Sequence, residues 1–313
     1  MPERGERNMK GFTFNKVYII RSLNPNDKQL WVPGDELFNG LKKCNVDCEI
    51  IDIQEGITQF RDVILNINNA CKKLNIRPVI HFICHGVKPN AYAQYPTGAM
   101  CLWNNNKQIN EVIKWVDLMY FLELINEACH FNLFISMSIC YGFYSVLNLL
   151  GDTYRIPFYG ILASPDPIYA VPAAAYYTDF YVALIQDQNV NAAIDKLQQS
   201  LSAYEDLYKN YGWKKEQQLV KFSDDLFSQA AREDYQKNRS NESQLRISAT
   251  QAYKDAGYNT PPSEDFISKY ISAHPNLFWE EFSKLRDYKF MLDIYPENHD
   301  RLELPYKLEN LAK

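Results

Sequence analysis

RPVIHFICHG (77–86) and FNLFISMSICYG (131–142) decide the fold. Each is an almost unbroken apolar run that ends on a reactive side chain close to a glycine: His85 before Gly86, and Cys140 two residues before Gly142. Apolar runs without polar alternation suit strands covered on both faces, as in a parallel sheet. Three further runs have this character: KVYIIRSL (16–23), VDCEIIDI (46–53) and PFYGILAS (157–164). Between them lie helix-like stretches at 34–44, 57–74, 116–129, 142–150 and 173–187, and the second sets Phe60, Val63, Ile64, Ile67 and Cys71 on one helical face. Strand and helix in alternation predict an α/β fold: a mostly parallel sheet with right-handed crossovers and helices on both faces. The segment GVKPNAYAQYPTGAMCLWNNNK (86–107) interrupts the pattern. There Gly98 and Asn104–Asn106 bracket a short strand, which predicts a projecting β-hairpin or arm.

From about residue 190 the chain turns helical and polar, with Pro261–Pro262 and Pro275 as punctuation and Ser263 as the N-cap of a late helix. The stretch 224–243 lacks Gly and Pro and reads as a solvated helix. The expected division is a polar tail over 1–13, an α/β domain over 14–205 and a helical extension over 206–313.

Composition narrows the function. The 313 residues are 46% hydrophobic and 23% charged, which is globular composition. A net charge of −5 provides no electrostatic footprint for nucleic acid or an anionic membrane. No apolar run is long enough to span a bilayer, and the charged start MPERGERNMKG does not read as a secretory signal. Seven cysteines, an odd number placed mostly in apolar stretches, fit a reducing, cytoplasmic setting. Cys44 and Cys48 have the spacing of half a zinc site, but no second pair follows. No glycine-rich nucleotide loop and no Gly-x-Ser-x-Gly elbow is present.

Chemistry in open α/β sheets gathers outside the carboxyl ends of the strands, where His85 and Cys140 both fall. If their strands are neighbours, the two side chains stand side by side. A thiol is mostly protonated at neutral pH, so a nucleophilic cysteine needs a nearby imidazole to take its proton and later return it to a leaving amine. A helix starting after Cys140 would favour the thiolate. The backbone N–H groups of Gly86 and Cys140 are candidate donors to an oxyanion. The competing structural reading makes His85 a strand-end histidine and Cys140 an ordinary buried thiol. His81 reads as a core residue, Cys84 as facing the other side of its strand, and Cys129–His130 as a turn.

His-Gly after one apolar strand and Cys-x-Gly after the next resemble the caspase-like cysteine peptidases, which include caspases, metacaspases, separases and gingipains. The bacterial CHAT branch is the nearest likeness. Its order of elements is matched by VIHFICHG, TGAMCLW, VDLMYFLELINEAC and LFISMSICYG, and then by YGILASPDPIYAVPAAAYYTDFYVALIQDQNVNAAIDKL. The resemblance covers about 14–205. It implies a caspase-like sheet, a general base at His85, a nucleophile at Cys140 and an oxyanion hole from Gly86 and Cys140 N–H. It implies no organic cofactor and no metal, although some relatives use calcium, for which Asp224–Asp225 is the candidate and a solvated helix start the competing reading. Members specific for basic P1 residues carry an acidic residue two positions before the nucleophile, where this chain has Ser138. Asp166 is the candidate for the opposite wall of S1. The caspase signature around the nucleophile is absent.

The resemblance further implies a regulated effector protease of a bacterial defence system. Such a protease is activated by a sensor protein and cuts a protein substrate such as a gasdermin or another protease. The alternatives are an inactive scaffold on the same fold, docking a partner through its helical region, and a zymogen blocked by the 85–105 arm or the 224–243 stretch.

Overall fold

A computed structural model describes residues 12–148, 155–168, 170–208 and 217–311. The chain divides into two compact units, 1–223 and 224–313.

The first unit is α/β. In chain order it contains β1 (Lys16–Ser22), α1 (Lys28–Lys43), β2 (Cys48–Asp52), α2 (Gly56–Leu74), β3 (Pro78–Cys84), β4 (Gly86–Val87), β5 (Ala99–Asn104), β6 (Ile109–Lys114), α3 (Trp115–Ala128) and β7 (Phe134–Ser138). A 3₁₀ turn (Gly142–Asn148) follows, then β8 (Gly160–Ala163), α4 (Ala170–Gln186), α5 (Val190–Tyr208) and β9 (Leu219–Phe222). The main sheet has the order β2-β1-β3-β7-β8-β9, parallel throughout except for β9, which runs antiparallel to β8.

All five strands expected from the apolar runs are present. Side chains alternate across the sheet, and β3 shows it well: His81 meets Tyr177 and Tyr181 of α4, whereas Phe82 meets Phe60 of α2 on the opposite face. The α2 stripe is buried at Phe60, Ile64, Ile67 and Cys71, and the helix closes on Asn75 in a left-handed conformation (φ 52°). Arg21 ties three elements together. Its guanidinium bonds Asp52 at the end of β2, Asp35 of α1 and the Trp31 carbonyl, while Trp31 Nε1 donates to the Asn24 carbonyl and pins the loop leading to Asp27.

Several expectations change. The arm does not project: β4, β5 and β6 form a three-stranded antiparallel sheet with β5 buried, and Glu111 of β6 accepts the Ile57 N–H at the start of α2. Residues 12 and 13 are not tail. Phe12 is buried and stacks on Tyr159 at 3.7 Å, and Thr13 N–H donates to Asn132. The division falls at 223 rather than 205, because β9 completes the sheet edge against β8. The expected helix after Cys140 is the 3₁₀ turn as far as Asn148; residues 149–150 of that expectation, and 209–216 of the helical stretch expected from about 190, lie outside the described residues.

The second unit is helical: α6 (Ser223–Ser240), α7 (Glu242–Asp255), α8 (Glu264–Lys289) and the single turn α9 (Asn298–Arg301). Asn241 ends the stretch expected as one helix by capping α7, its side chain accepting from Gln244 N–H. Ser263 caps α8 as expected, accepting from Phe266 N–H, but α8 runs through Pro275 instead of stopping there. Phe227 packs on Phe282 and Phe290 in the unit's core. Asp224 is buried rather than solvated, and its carboxylate accepts the Glu303 N–H. Among the described residues, no helix is long and apolar enough to cross a membrane.

Candidate functional site

The register of β3 and β7 sets the site. Ile83 lies opposite Ser138, so His85 and Cys140 each fall two residues beyond the same paired rung. Adjacent strands lie about 4.8 Å apart, so the two residues leave the sheet level with each other. Alternation also puts Ile83, His85, Ser138 and Cys140 on one face, the face of α1. His85, Ser138 and Cys140 open into one small cleft of ≈ 80 Å³. That is well below the few hundred Å³ of an organic cofactor site and suits a single side chain.

Cys140 sits on a sharp turn. Tyr141 adopts φ +63°, unusual for a residue with a bulky side chain, and the chain then winds into the 3₁₀ turn. The turn is held from outside, since Tyr141 N–H donates to the Asp166 carbonyl and Phe143 N–H to the Ser164 carbonyl. Strain of this kind costs about 1–3 kcal/mol and persists only where neighbours enforce it. Cys140 and His85 are both partly exposed, and Cys140 N–H meets no acceptor among the described residues.

Gly86 is required by close approach. A Cβ there would sit 2.0 Å from the Cys140 carbonyl oxygen and 2.9 Å from the Ile139 side chain. Gly86 pairs with Met100 across β4 and β5, and Cys101 N–H donates to the His85 carbonyl at 2.9 Å. The peptide is trans, so the Gly86 N–H points opposite to that carbonyl and away from β5. The two N–H groups expected to bind an oxyanion are therefore both outside the ladders of their strands.

One residue beside His85 escaped the sequence reading. Asp27 Oδ2 lies 3.7 Å from His85 Nε2, both side chains being 43% exposed. That is ion-pair distance rather than a hydrogen bond. Asp27 occupies the N-cap of α1, a position where aspartate normally bonds the helix's own N–H groups, yet its side chain makes no such bond. The available signal was position: Asp27 follows β1, and β1 is the neighbour of β3.

Ser138 lines the cleft. Asp166 does not: it is exposed, its N–H donates to Ser164 Oγ, and the residue of that loop that reaches the cleft is Ile168. The decoys fall as expected except Cys84, which is expected on the other side of its strand and yet lines the cleft beside His85. His81 is buried, Nδ1 facing Tyr181 Oη at 2.6 Å and Ser136 Oγ at 3.2 Å, and burial pushes its pKa down to about 3. Cys84 is buried, and that burial pushes its thiol well up. Cys129 is buried at the helix-to-strand turn, and His130 there is exposed with φ +52°. Cys48 is buried, its thiol directed at the Phe38 carbonyl.

The chain matches no protein-family model and no curated protein.

Proposed function

We propose that the chain is a caspase-like cysteine endopeptidase working through His85 and Cys140. The observation that carries this reading is the common register of the two residues beyond β3 and β7, facing one cleft. In this mechanism the Cys140 thiol passes its proton to His85 as sulfur attacks a peptide carbonyl. The oxygen of the tetrahedral intermediate takes its negative charge between the Gly86 and Cys140 N–H groups. Collapse breaks the C–N bond, His85 returns the proton to the leaving amine, and a thioester remains on Cys140. Water then attacks the thioester, His85 takes one of its protons and hands it to the departing sulfur, and the acid product leaves. Asp27 acts as a positioning residue, holding the imidazole toward the cleft. The resemblance of 14–205 to the CHAT branch extends the proposal to a protein substrate, an activating sensor and a regulated defence role, with the second unit as a partner-docking element.

The test is labelling with a mixture of peptide acyloxymethyl ketones, read by intact mass. Sulfur displaces the carboxylate leaving group, forming one C–S bond as one C–O bond breaks. A single adduct that is lost in Cys140→Ala and sharply reduced in His85→Ala supports the reading. No adduct with the protein alone or with candidate partners refutes it and favours the scaffold.

A further inference from the structure

We infer that the S1 subsite of this site takes an uncharged aliphatic side chain, so that cleavage follows residues such as valine or leucine rather than aspartate, arginine or lysine. The inference rests on the peptidase reading and concerns the cleft beside Cys140.

The walls of that cleft carry it. Leu23 after β1, Leu30 and Pro33 of α1, Ile83 of β3 and Ile168 after β8 surround the opening that His85, Ser138 and Cys140 share. Of the described residues that line it, none bears a carboxylate, an ammonium or a guanidinium. A charged P1 group entering this cleft would lose its water and meet no carboxylate, ammonium or guanidinium on the described lining, and an ion buried without such a partner costs several kcal/mol. An aliphatic group gains about 0.8 kcal/mol for each methylene it buries.

Nearby charges are already committed. Arg21, two residues before Leu23, is the guanidinium that an acidic P1 side chain would seek. It bonds Asp52 and Asp35, and its side chain is only 6% exposed. Asp27, the carboxylate that a basic P1 side chain would seek, is paired with His85 and does not line the cleft. The position two residues before the nucleophile is neutral Ser138, and the loop after β8 supplies Ile168 in place of Asp166. A volume of ≈ 80 Å³ admits a short branched chain and disfavours tryptophan or tyrosine.

The experiment measures second-order labelling rates at Cys140 of the full chain for acyloxymethyl ketones that differ only at P1: valine, leucine, aspartate, arginine and tryptophan. Valine or leucine should label at least tenfold faster than aspartate, arginine or tryptophan. An Ile168→Asp variant should reverse the order, raising arginine above leucine. Ile168→Ala, which only enlarges the cleft, should keep the aliphatic preference and guards against misfolding of the aspartate variant. Fastest labelling by aspartate or arginine, still dependent on Cys140 and His85, overturns the inference and leaves the peptidase reading intact. No labelling by any member of the series, with the chain alone or with the candidate partners added, overturns both.

Discussion

Replacing His81 by glutamine should flatten the acid limb of the stability curve. The buried imidazole has its pKa pushed down to about 3 by loss of water, against an ordinary value of 6.5. Above pH 6.5 the ring is neutral folded and unfolded, so it adds no pH dependence. Below 6.5 the unfolded chain binds a proton that the folded chain refuses until about pH 3, so folded stability falls through that window at about 1.4 kcal/mol per pH unit. By pH 5 the loss is about 2 kcal/mol, and over the whole window it approaches 5 kcal/mol. Tyr181 Oη lies 2.6 Å from Nδ1, within hydrogen-bond distance of the neutral ring. The assay is urea unfolding of wild type and His81→Gln at pH 8, 6.5, 5.5 and 4.5. Carboxylates titrating elsewhere affect both proteins alike and cancel in the difference. The variant starts lower at pH 8 through its lost hydrogen bond, and the gap should close by about 2 kcal/mol by pH 5. A gap constant from pH 8 to 4.5 would refute the claim that His81 folds neutral.

At the site, Gly86→Ala drives a methyl into the Cys140 carbonyl, which should cost about 1–3 kcal/mol of stability and abolish peptide-ketone labelling; wild-type melting with wild-type labelling would contradict that contact. Asp27→Asn should slow labelling about tenfold while leaving the melting temperature unchanged. Because the Asp27–His85 pair is half exposed, salt should slow the wild type and leave the variant unaffected, a difference that a packing role would not produce. In the second unit, Ser263→Ala removes the cap of α8 at a cost of about 1 kcal/mol, so hydrogen exchange at Phe266 N–H should quicken about fivefold.

Much of the first unit was legible because its strands are covered on both faces and so are written as plain apolar runs. The level placement of His85 and Cys140 follows from two such runs ending alike. What escaped has physical causes. β9 is four residues, LVKF, preceded by polar chain, and only pairing with β8 makes it a strand. β6 carries Asn110, Glu111 and Lys114, since much of it faces solvent and its glutamate serves α2. The motif Asn24-Pro25-Asn26-Asp27 reads as turn chemistry, and only the neighbouring position of β1 and β3 brings Asp27 to the imidazole. Asp166 and Ile168 are two residues apart in one loop, and no periodicity says which of them enters the cleft. Pro275 reads as a stop, yet α8 continues through it.

The distribution of cysteines has a practical consequence. Cys48, Cys71, Cys84, Cys101 and Cys129 are buried, which leaves Cys44 as the partly open thiol besides Cys140. Cys44 closes the far end of α1, about 21 Å along the helix from the cleft-lining Leu30. In a Cys140→Ala protein a maleimide dye therefore finds one preferred anchor, a helix's length from the place where a peptide would lie. Resonance energy transfer from that dye to an acceptor-tagged peptide turns α1 into a ruler. It reads the arrival and departure of a chain in the cleft, without any bond having to break.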